Sequence, residues 1–99
     1  MRILSLPTLR AFYQTARYAD AKGPLLAWHA HTLKANWLAP ADVKADFGNA
    51  SIFKEGRVVF NIAGHKYRLV TSINYPYGIV FVRFIGTHKQ YDAIDAQTI

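Results

Sequence analysis

The sequence predicts an α+β fold in which N-terminal helices pack on one face of an antiparallel β-meander that ends in a short C-terminal helix. Two observations predict this fold. As far as about residue 47, apolar residues recur at helical spacing, and from about residue 51 they alternate with a period of two. Turn pairs then separate the alternating runs, at Glu55-Gly56, Gly64-His65 and Tyr75–Gly78. Since hairpin turns join consecutive strands, we expect a meander within a single domain, residues 1–99.

The first half of the chain predicts an edge strand, two helices and a helical turn. Residues 1–4 suit the edge strand. A helix from about Pro7 to Tyr18 buries one stripe, formed by Leu9, Phe12, Tyr13 and Ala16. A second helix, from about Pro24 to Trp37, buries another, formed by Leu26, Ala30, Leu33 and Trp37. Trp28 falls on nearly the opposite side, so it either packs under a loop or belongs to a partner surface. A helical turn covers residues 41–47.

The second half predicts a short strand at 51–54 and three longer strands at 57–63, 66–75 and 78–86. Alternation assigns one face to the core under the helices, with Val58, Phe60, Ile62, Tyr67, Leu69, Ile73, Tyr75, Val80, Val82 and Phe84. The other face carries Arg57, Asn61, Lys66, Arg68, Phe81 and Arg83. A β-bulge would change this register, because one extra residue moves the following side chains to the other face.

The composition of the chain limits the kinds of partner and site that it can have. The net charge is +6, from 12 Lys and Arg against 6 Asp and Glu, which favours a polyanion such as RNA, DNA or a ribosome. The alternative is a soluble domain that is merely basic. The chain has no Cys, which excludes disulfides and thiolate metal sites. We see no metal-ligand spacing and expect no cofactor. No apolar run is long enough for a membrane span and no signal peptide is visible, so we expect a cytoplasmic protein.

Candidate catalytic residues occur near the end of the last strand. Arg68 and Arg83 are predicted to lie mid-strand, where a guanidinium fork suits phosphate. Thr87 and Gln90 have the spacing of a capping box, so a helix begins at His88, with Tyr91 one turn later. The helix N-terminus favours a neutral His88, whereas Asp92 at i+4 favours imidazolium. The alternative is a capped terminal helix with Tyr91 and Ile94 as core anchors.

Two Arg, a His and a Tyr match the needs of RNA cleavage without a metal. A base takes the proton of the 2′-hydroxyl, cations stabilise the pentacoordinate phosphate, and an acid protonates the departing 5′-oxygen. A Tyr can also stack on a base. None of these spacings is as specific as a P-loop or a zinc signature.

The chain resembles the HigB-type toxins of the RelE-like group of bacterial toxin–antitoxin systems. The resemblance is carried by the runs Arg57-Val-Val-Phe-Asn-Ile-Ala-Gly64, Lys66-Tyr-Arg-Leu-Val70 and Arg83-Phe-Ile-Gly-Thr-His88, then Tyr91-Asp92. It implies a RelE-like, microbial-RNase-like fold and ribosome-dependent cleavage of mRNA, with Arg68, Arg83, His88 and Tyr91 as the site. It also implies neutralisation by a HigA-type helix-turn-helix antitoxin, with DNA contacted only indirectly through that antitoxin.

Further residues are expected to contact RNA around the site. Arg57, Lys66 and Lys89 would make non-specific phosphate contacts. His65, which follows the Gly64 turn, is either an extra phosphate or base contact or only a turn residue. Two other functions stay open: a non-catalytic RNA- or ribosome-binding module, and a ParE-like gyrase inhibitor. His88 and Tyr91 favour the nuclease over both.

Overall fold

A five-stranded sheet forms the centre of the structure, a computed structural model that describes residues 1–99. The strand order is β1-β5-β4-β3-β2. Strands β2 to β5 form the predicted antiparallel meander, and β1 is parallel to β5 at one edge, so the predicted α+β fold is confirmed. The strands are β1 Arg2–Leu4, β2 Ser51–Ile52, β3 Arg57–Ile62, β4 Tyr67–Asn74 and β5 Ile79–Thr87. The helices are α1 Leu6–Gln14, α2 Lys22–Lys34, α3 Pro40–Asp46 and α4 His88–Asp92.

Local signals set the ends of the N-terminal helices. Pro7 lies in the first turn of α1, and the helix ends at Gln14, before a short 3₁₀ segment at Ala16–Ala21. The helix predicted to reach Tyr18 therefore stops a turn earlier. Pro40 opens α3, and the Asp42 carboxylate accepts a hydrogen bond of 2.8 Å from the main-chain N–H of Leu38, which holds the start of that helix. No helix in the structure is long and apolar enough to span a membrane.

The buried face of α2 is the opposite of the predicted one. Trp28 is only 2% exposed and packs edge-on against Phe60 with ring centroids 5.5 Å apart. Leu26 and Leu33 of the predicted stripe are 45% and 50% exposed. Apolar residues occur on every side of α2, so periodicity alone cannot choose a face. Burial of the large indole of Trp28 removes the most apolar surface from water. Helix α2 is therefore oriented with Trp28 toward the sheet.

Trp37 is buried as predicted, although it does not belong to a helix. Helix α2 ends at Lys34, and the chain then turns Trp37 into the core, where its ring stacks on Phe60 at 6.1 Å. Its indole N–H donates a 2.9 Å hydrogen bond to Asp46, which joins this segment to α3.

The turn between β2 and β3 requires glycine. Gly56 has φ +78°, and an added Cβ would lie 2.3 Å from the main-chain oxygen of Ile73. Its own carbonyl accepts a 2.8 Å hydrogen bond from the N–H of Ile73. This turn therefore packs directly on β4, which leaves no room for a side chain.

A β-bulge in β5 changes the faces that alternation predicts. Val70 pairs with Phe84 and Thr71 pairs with Val82, so Arg83 is an extra residue with no partner on β4. The prediction that Phe84 shares a face with Val82 is therefore wrong, because the extra residue moves it to the other side. Ile85 takes its place in the main core, a cluster of 17 buried residues between the helices and the sheet.

The second face of the sheet is not the open cationic surface that the sequence predicts. Val59, Val70 and Ala96 form a second buried cluster there, against which Phe84, Tyr91, Ile94 and Ile99 pack. The chain after β5 thus covers this face. Gln97 donates a 2.8 Å hydrogen bond to the carbonyl of Lys54, and Arg57 donates one to the carbonyl of Ile99, so both tie the covering segment to the sheet.

The orientation of α2 predicts unequal costs of truncation on its two sides. Trp28→Ala should lower the free energy of unfolding by roughly 3–5 kcal/mol, because it empties a buried aromatic site. Leu33→Ala is the matched control and should change that free energy by less than about 0.5 kcal/mol, because the side chain is half exposed. Urea unfolding of both variants gives the comparison. A larger loss for Leu33→Ala would contradict this orientation of α2.

Candidate functional site

One end of the sheet brings together several of the predicted residues. Asn61 on β3, Arg68 on β4 and Gly86 on β5 are Cα partners in one row across the three strands. Thr87 follows Gly86 and caps α4, which begins at His88. The β3–β4 turn that contains His65 lies at this same end, because Asn61 and Arg68 are close to that turn.

Arg68 is half-buried and anchored at this end. It is the second residue of β4 rather than a mid-strand residue as predicted, because the strand begins at Tyr67. Its Nη1 donates a 2.9 Å hydrogen bond to the main-chain carbonyl of His65. This bond uses one of the five guanidinium N–H donors, so the others stay free for an anion. The side chain of His65 itself is exposed in the turn.

Arg83 lies apart from Arg68. As the bulge residue of β5 it is exposed, and its guanidinium lies over the ring of Phe81, 5.4 Å from the centroid. This contact directs it along the strand away from α4, whereas Arg68 is directed toward the turn near α4. Arg83 lies three residues before Gly86, the β5 partner of Arg68, and each guanidinium has a contact of its own. Joint action of Arg83 with His88 and Tyr91 stays a prediction.

The capping box at α4 is confirmed and positions His88. The main-chain N–H of Gln90 donates to Thr87 Oγ1 at 3.1 Å, and the N–H of Thr87 donates to Gln90 Oε1 at 2.8 Å. His88 is the first helical residue, and its Nδ1 lies 3.1 Å from Asp92 Oδ2. Both side chains are more than half exposed. A carboxylate on Nδ1 favours the tautomer with a proton on that nitrogen, which leaves Nε2 free to accept or donate a proton.

Tyr91 contributes its ring to the second buried cluster. It is half-buried and packs with Ile94 against the cluster of Val59, Val70 and Ala96. Tyr91 and Ile94 thus act as core anchors, which is what the alternative interpretation of this helix predicted. A catalytic or base-stacking role for Tyr91 stays a prediction.

A contact that the sequence did not predict joins α4 to the N-terminal region. Gln90 Nε2 donates a 3.2 Å hydrogen bond to the hydroxyl of Tyr18, and the ring of Tyr18 stacks on Phe12 at 4.4 Å. The same Gln90 side chain closes the capping box of Thr87, so it holds the start of α4 from two sides. No local pattern could reveal this contact, because 72 residues separate the partners.

Lys66 lies on the helix side of the sheet and not on the predicted cationic face. It belongs to the turn before β4, and its ammonium pairs with Asp20 of the 3₁₀ segment. The hydroxyl of Tyr67 also donates to Asp20. Hydrogen bonds from Lys66 and then Tyr67 lower the pKa of Asp20, and the bond to Asp20 raises the pKa of Lys66. An RNA contact by Lys66 stays a prediction, in which phosphate would compete with Asp20.

The remaining residues predicted to contact RNA differ in how much of the side chain is free to bind it. Lys89 is exposed on α4, next to His88. Arg57 is half-buried and donates to the carbonyl of Ile99, so part of its guanidinium is engaged in holding the C-terminal segment. The structure contains no group of three or more His, Cys, Asp and Glu residues that could hold a metal ion.

Comparison with known proteins adds the family. Residues 21–94 match the family model described as HigB_toxin, RelE-like toxic component of a toxin–antitoxin system. The mRNA interferase toxin HigB of Escherichia coli (strain K12) is 29% identical over 96 residues, which covers 94% of this chain and 92% of that protein. The proteins named mRNA interferase HigB in Escherichia coli O157:H7 and Shigella flexneri show the same identity and coverage. The family match covers most of the fold, including β3 to β5 and α4, and the chain therefore belongs to the HigB toxin family of RelE-like toxic components.

Proposed function

We propose that this toxin is an endoribonuclease that cleaves mRNA on the ribosome by metal-independent acid–base chemistry. The observation that carries the proposal is the similarity to three mRNA interferases along 94% of the chain. The His88–Asp92 pair supports it, because a histidine oriented by a carboxylate is suited to proton transfer. As the toxic member of a toxin–antitoxin pair, the protein requires an antitoxin, for which we propose a HigA-type helix-turn-helix protein.

The chemistry needs proton transfer at two oxygens and a cation at the phosphate. The 2′-oxygen bonds to phosphorus while the bond from phosphorus to the 5′-oxygen breaks. One proton leaves the 2′-hydroxyl and another reaches the 5′-oxygen. His88 Nε2 is the proposed group for one of these transfers. The guanidinium of Arg68, in the row beside the start of α4, would stabilise the charge that develops on the phosphoryl oxygens.

Arg83 is proposed to contact a flanking phosphate rather than the scissile one. Its guanidinium is exposed, lies over Phe81 and points away from α4. Such a contact would position the RNA backbone without reading its sequence. Lys89, exposed beside His88, would act in the same way.

The ribosome is proposed to orient the mRNA strand, because the protein surface alone does not hold the strand in one geometry. His88 and Arg83 are exposed, and neither of them lines a cleft of the structure. A free RNA strand would reach this surface in many geometries, whereas a message held in the ribosomal A site is presented in one. The net charge of +6 favours approach to a particle rich in RNA.

Induced expression tests the function in cells. The parental protein should arrest growth and produce new mRNA 5′ ends, and co-expression of the antitoxin should remove both effects. His88→Gln should lower the single-turnover cleavage rate by roughly 10²–10⁴-fold, because it removes a proton-transfer group. His29→Gln, on α2, is the matched control and should cleave at the parental rate.

The outcome also separates the alternatives. Growth arrest by His88→Gln without new 5′ ends would indicate a binding module or a gyrase inhibitor. Cleavage by folded His88→Gln at the parental rate would refute the catalytic assignment. Thermal melts of both variants establish that each is folded.

The different surroundings of the two arginines, half-buried for Arg68 and exposed for Arg83, predict unequal effects on cleavage. Arg68→Ala should lower the rate on programmed ribosomes by roughly 10²–10³-fold, because a donor to the transition state is lost. Arg68→Lys should recover only part of that loss, since an ammonium lacks the fork. Arg83→Ala should lower the rate by less than about tenfold, as expected for one exposed charge contact. Arg10→Ala, exposed on α1, is the control. Equal losses for both alanine variants would instead indicate a shared phosphate clamp.

A further inference from the structure

The side chain of Gln90 on α4 has one defined orientation, because both of its polar atoms are hydrogen-bonded. Its Oε1 accepts the main-chain N–H of Thr87 at 2.8 Å, and its Nε2 donates to the hydroxyl of Tyr18 at 3.2 Å. The N–H of Thr87 can only donate, so the amide oxygen faces Thr87 and the amide nitrogen faces Tyr18. The hydroxyl of Tyr18 is therefore the acceptor in this pair.

The backbone below Gln90 leaves room for its amide only because residue 86 is glycine. A Cβ added at Gly86 would lie 2.7 Å from Gln90 Oε1 and 2.6 Å from the ring of Phe84. Gly86 is also the Cα partner of Arg68 on β4. The amide of Gln90 thus packs on the residue that pairs with Arg68, while its own helix begins with His88.

The hydroxyl of Tyr18 is presented by a cluster of three aromatic rings. The ring of Tyr18 stacks on Phe12 at 4.4 Å, and it meets the ring of Tyr67 edge-on at 6.0 Å. Tyr67 is only 1% exposed, and it is the Cα partner of Thr87, the residue that caps α4. Its hydroxyl donates to Asp20 in the 3₁₀ segment. The acceptor for Gln90 is therefore fixed to the core and to the strand pair that leads into α4.

Helix α4 has few fixed contacts of its own. It has five residues, none of which is buried. Tyr91 anchors the end of the helix on the second buried cluster, whereas Gln90 ties its first turn to Tyr18. His88 is more than half exposed and pairs with Asp92 of the same helix, so this pair does not fix His88 relative to the sheet. The position of His88 therefore follows from how the first turn of α4 is held.

We propose that Tyr18 and Gln90 are positioning residues for cleavage, whose hydrogen bond holds the first turn of α4 and thereby keeps His88 in place beside the row of Arg68. The inference rests on the proposed function and adds to it two residues that act through His88. A group that transfers a proton must lie within hydrogen-bond reach of the reacting oxygen. A misplacement of about 1 Å can cost as much as 10²-fold in rate, so the contacts that hold such a group affect the reaction.

Tyr18→Phe tests the proposal, because it removes the acceptor and retains both the aromatic ring and the capping box. The single-turnover rate on programmed ribosomes should fall roughly 3–10-fold, the range expected for the loss of one hydrogen bond. Ribosome affinity and the melting temperature should stay parental. Tyr13→Phe on α1 is the matched control, because that ring is also half-buried and its hydroxyl makes no hydrogen bond. It should cleave at the parental rate.

Amide hydrogen exchange measures the order of α4 without any reaction. The main-chain N–H groups of Thr87 and Gln90 are the two that the capping box protects. In Tyr18→Phe both should exchange roughly 3–10-fold faster than in the parent, because the first turn opens more often. In Tyr13→Phe both should exchange at the parental rate.

A double-mutant cycle separates the hydrogen bond from other effects of the two side chains. Gln90→Met retains the length of the side chain and removes its bond to Tyr18. Adding Tyr18→Phe to Gln90→Met should lower the cleavage rate no further, because the bond is already absent. A full additional loss would overturn the proposal, since Tyr18 would then act without Gln90.

The remaining outcomes are also decisive. Faster exchange in Tyr18→Phe with a parental cleavage rate would show that the bond orders α4 without serving the reaction, which overturns the proposal. A lower rate with parental exchange would overturn it too, because Tyr18 would then act on the RNA directly. If the parent cleaves no mRNA, the proposed function fails, and the exchange rates alone then decide whether Tyr18 holds the start of α4.

Discussion

The bulge at Arg83 is the constraint on which the rest of the site depends. Side chains alternate along a strand, so one extra residue exchanges the two faces for everything that follows. In β5 it places Ile85 in the main core and Phe84 in the second cluster. Gly86 thereby comes opposite Arg68, and α4 begins beside that row. Without the extra residue, α4 and its histidine would begin from the other face of the sheet.

The second cluster makes the C-terminal segment part of the site. Tyr91 and Ile94 pack on Val59 and Val70, which fixes α4 against the sheet. Such burial stabilises a short helix that would not form alone. Gln90 adds a bond to Tyr18 from the N-terminal region. His88 is exposed, but the helix that carries it is held by buried contacts on one side and by its cap on the other.

Most of the fold could be predicted from the sequence because its signals are local. The hairpin turns, the alternating strands and the capping box at Thr87 each depend on a few neighbouring residues, and the structure confirms them. The face of α2 could not be predicted, since apolar residues surround that helix. The bulge also leaves no local signal, because it results from pairing between β4 and β5. These two features explain the wrong assignments of Leu26, Leu33 and Phe84.

The sequence could predict which residues form the candidate site, but it could not predict how they are arranged. The capping box identified His88, and the strand pattern identified Arg68 and Arg83. The direction of each guanidinium could not be predicted, because it follows from the bulge and from the contacts with His65 and Phe81. The pairing of Lys66 with Asp20 and the hydrogen bond from Gln90 to Tyr18 join residues far apart in the chain. Such contacts are visible only once the chain is folded.

We propose above all that this surface cleaves mRNA efficiently only when the ribosome presents it. The most direct measurement is the single-turnover cleavage rate of purified toxin on one message, as naked RNA and in stable preformed ribosome complexes. We predict a rate on the ribosome at least about 10²-fold higher, because orientation is supplied there. Equal rates on the two substrates would contradict the account, since the toxin would then be a complete nuclease by itself.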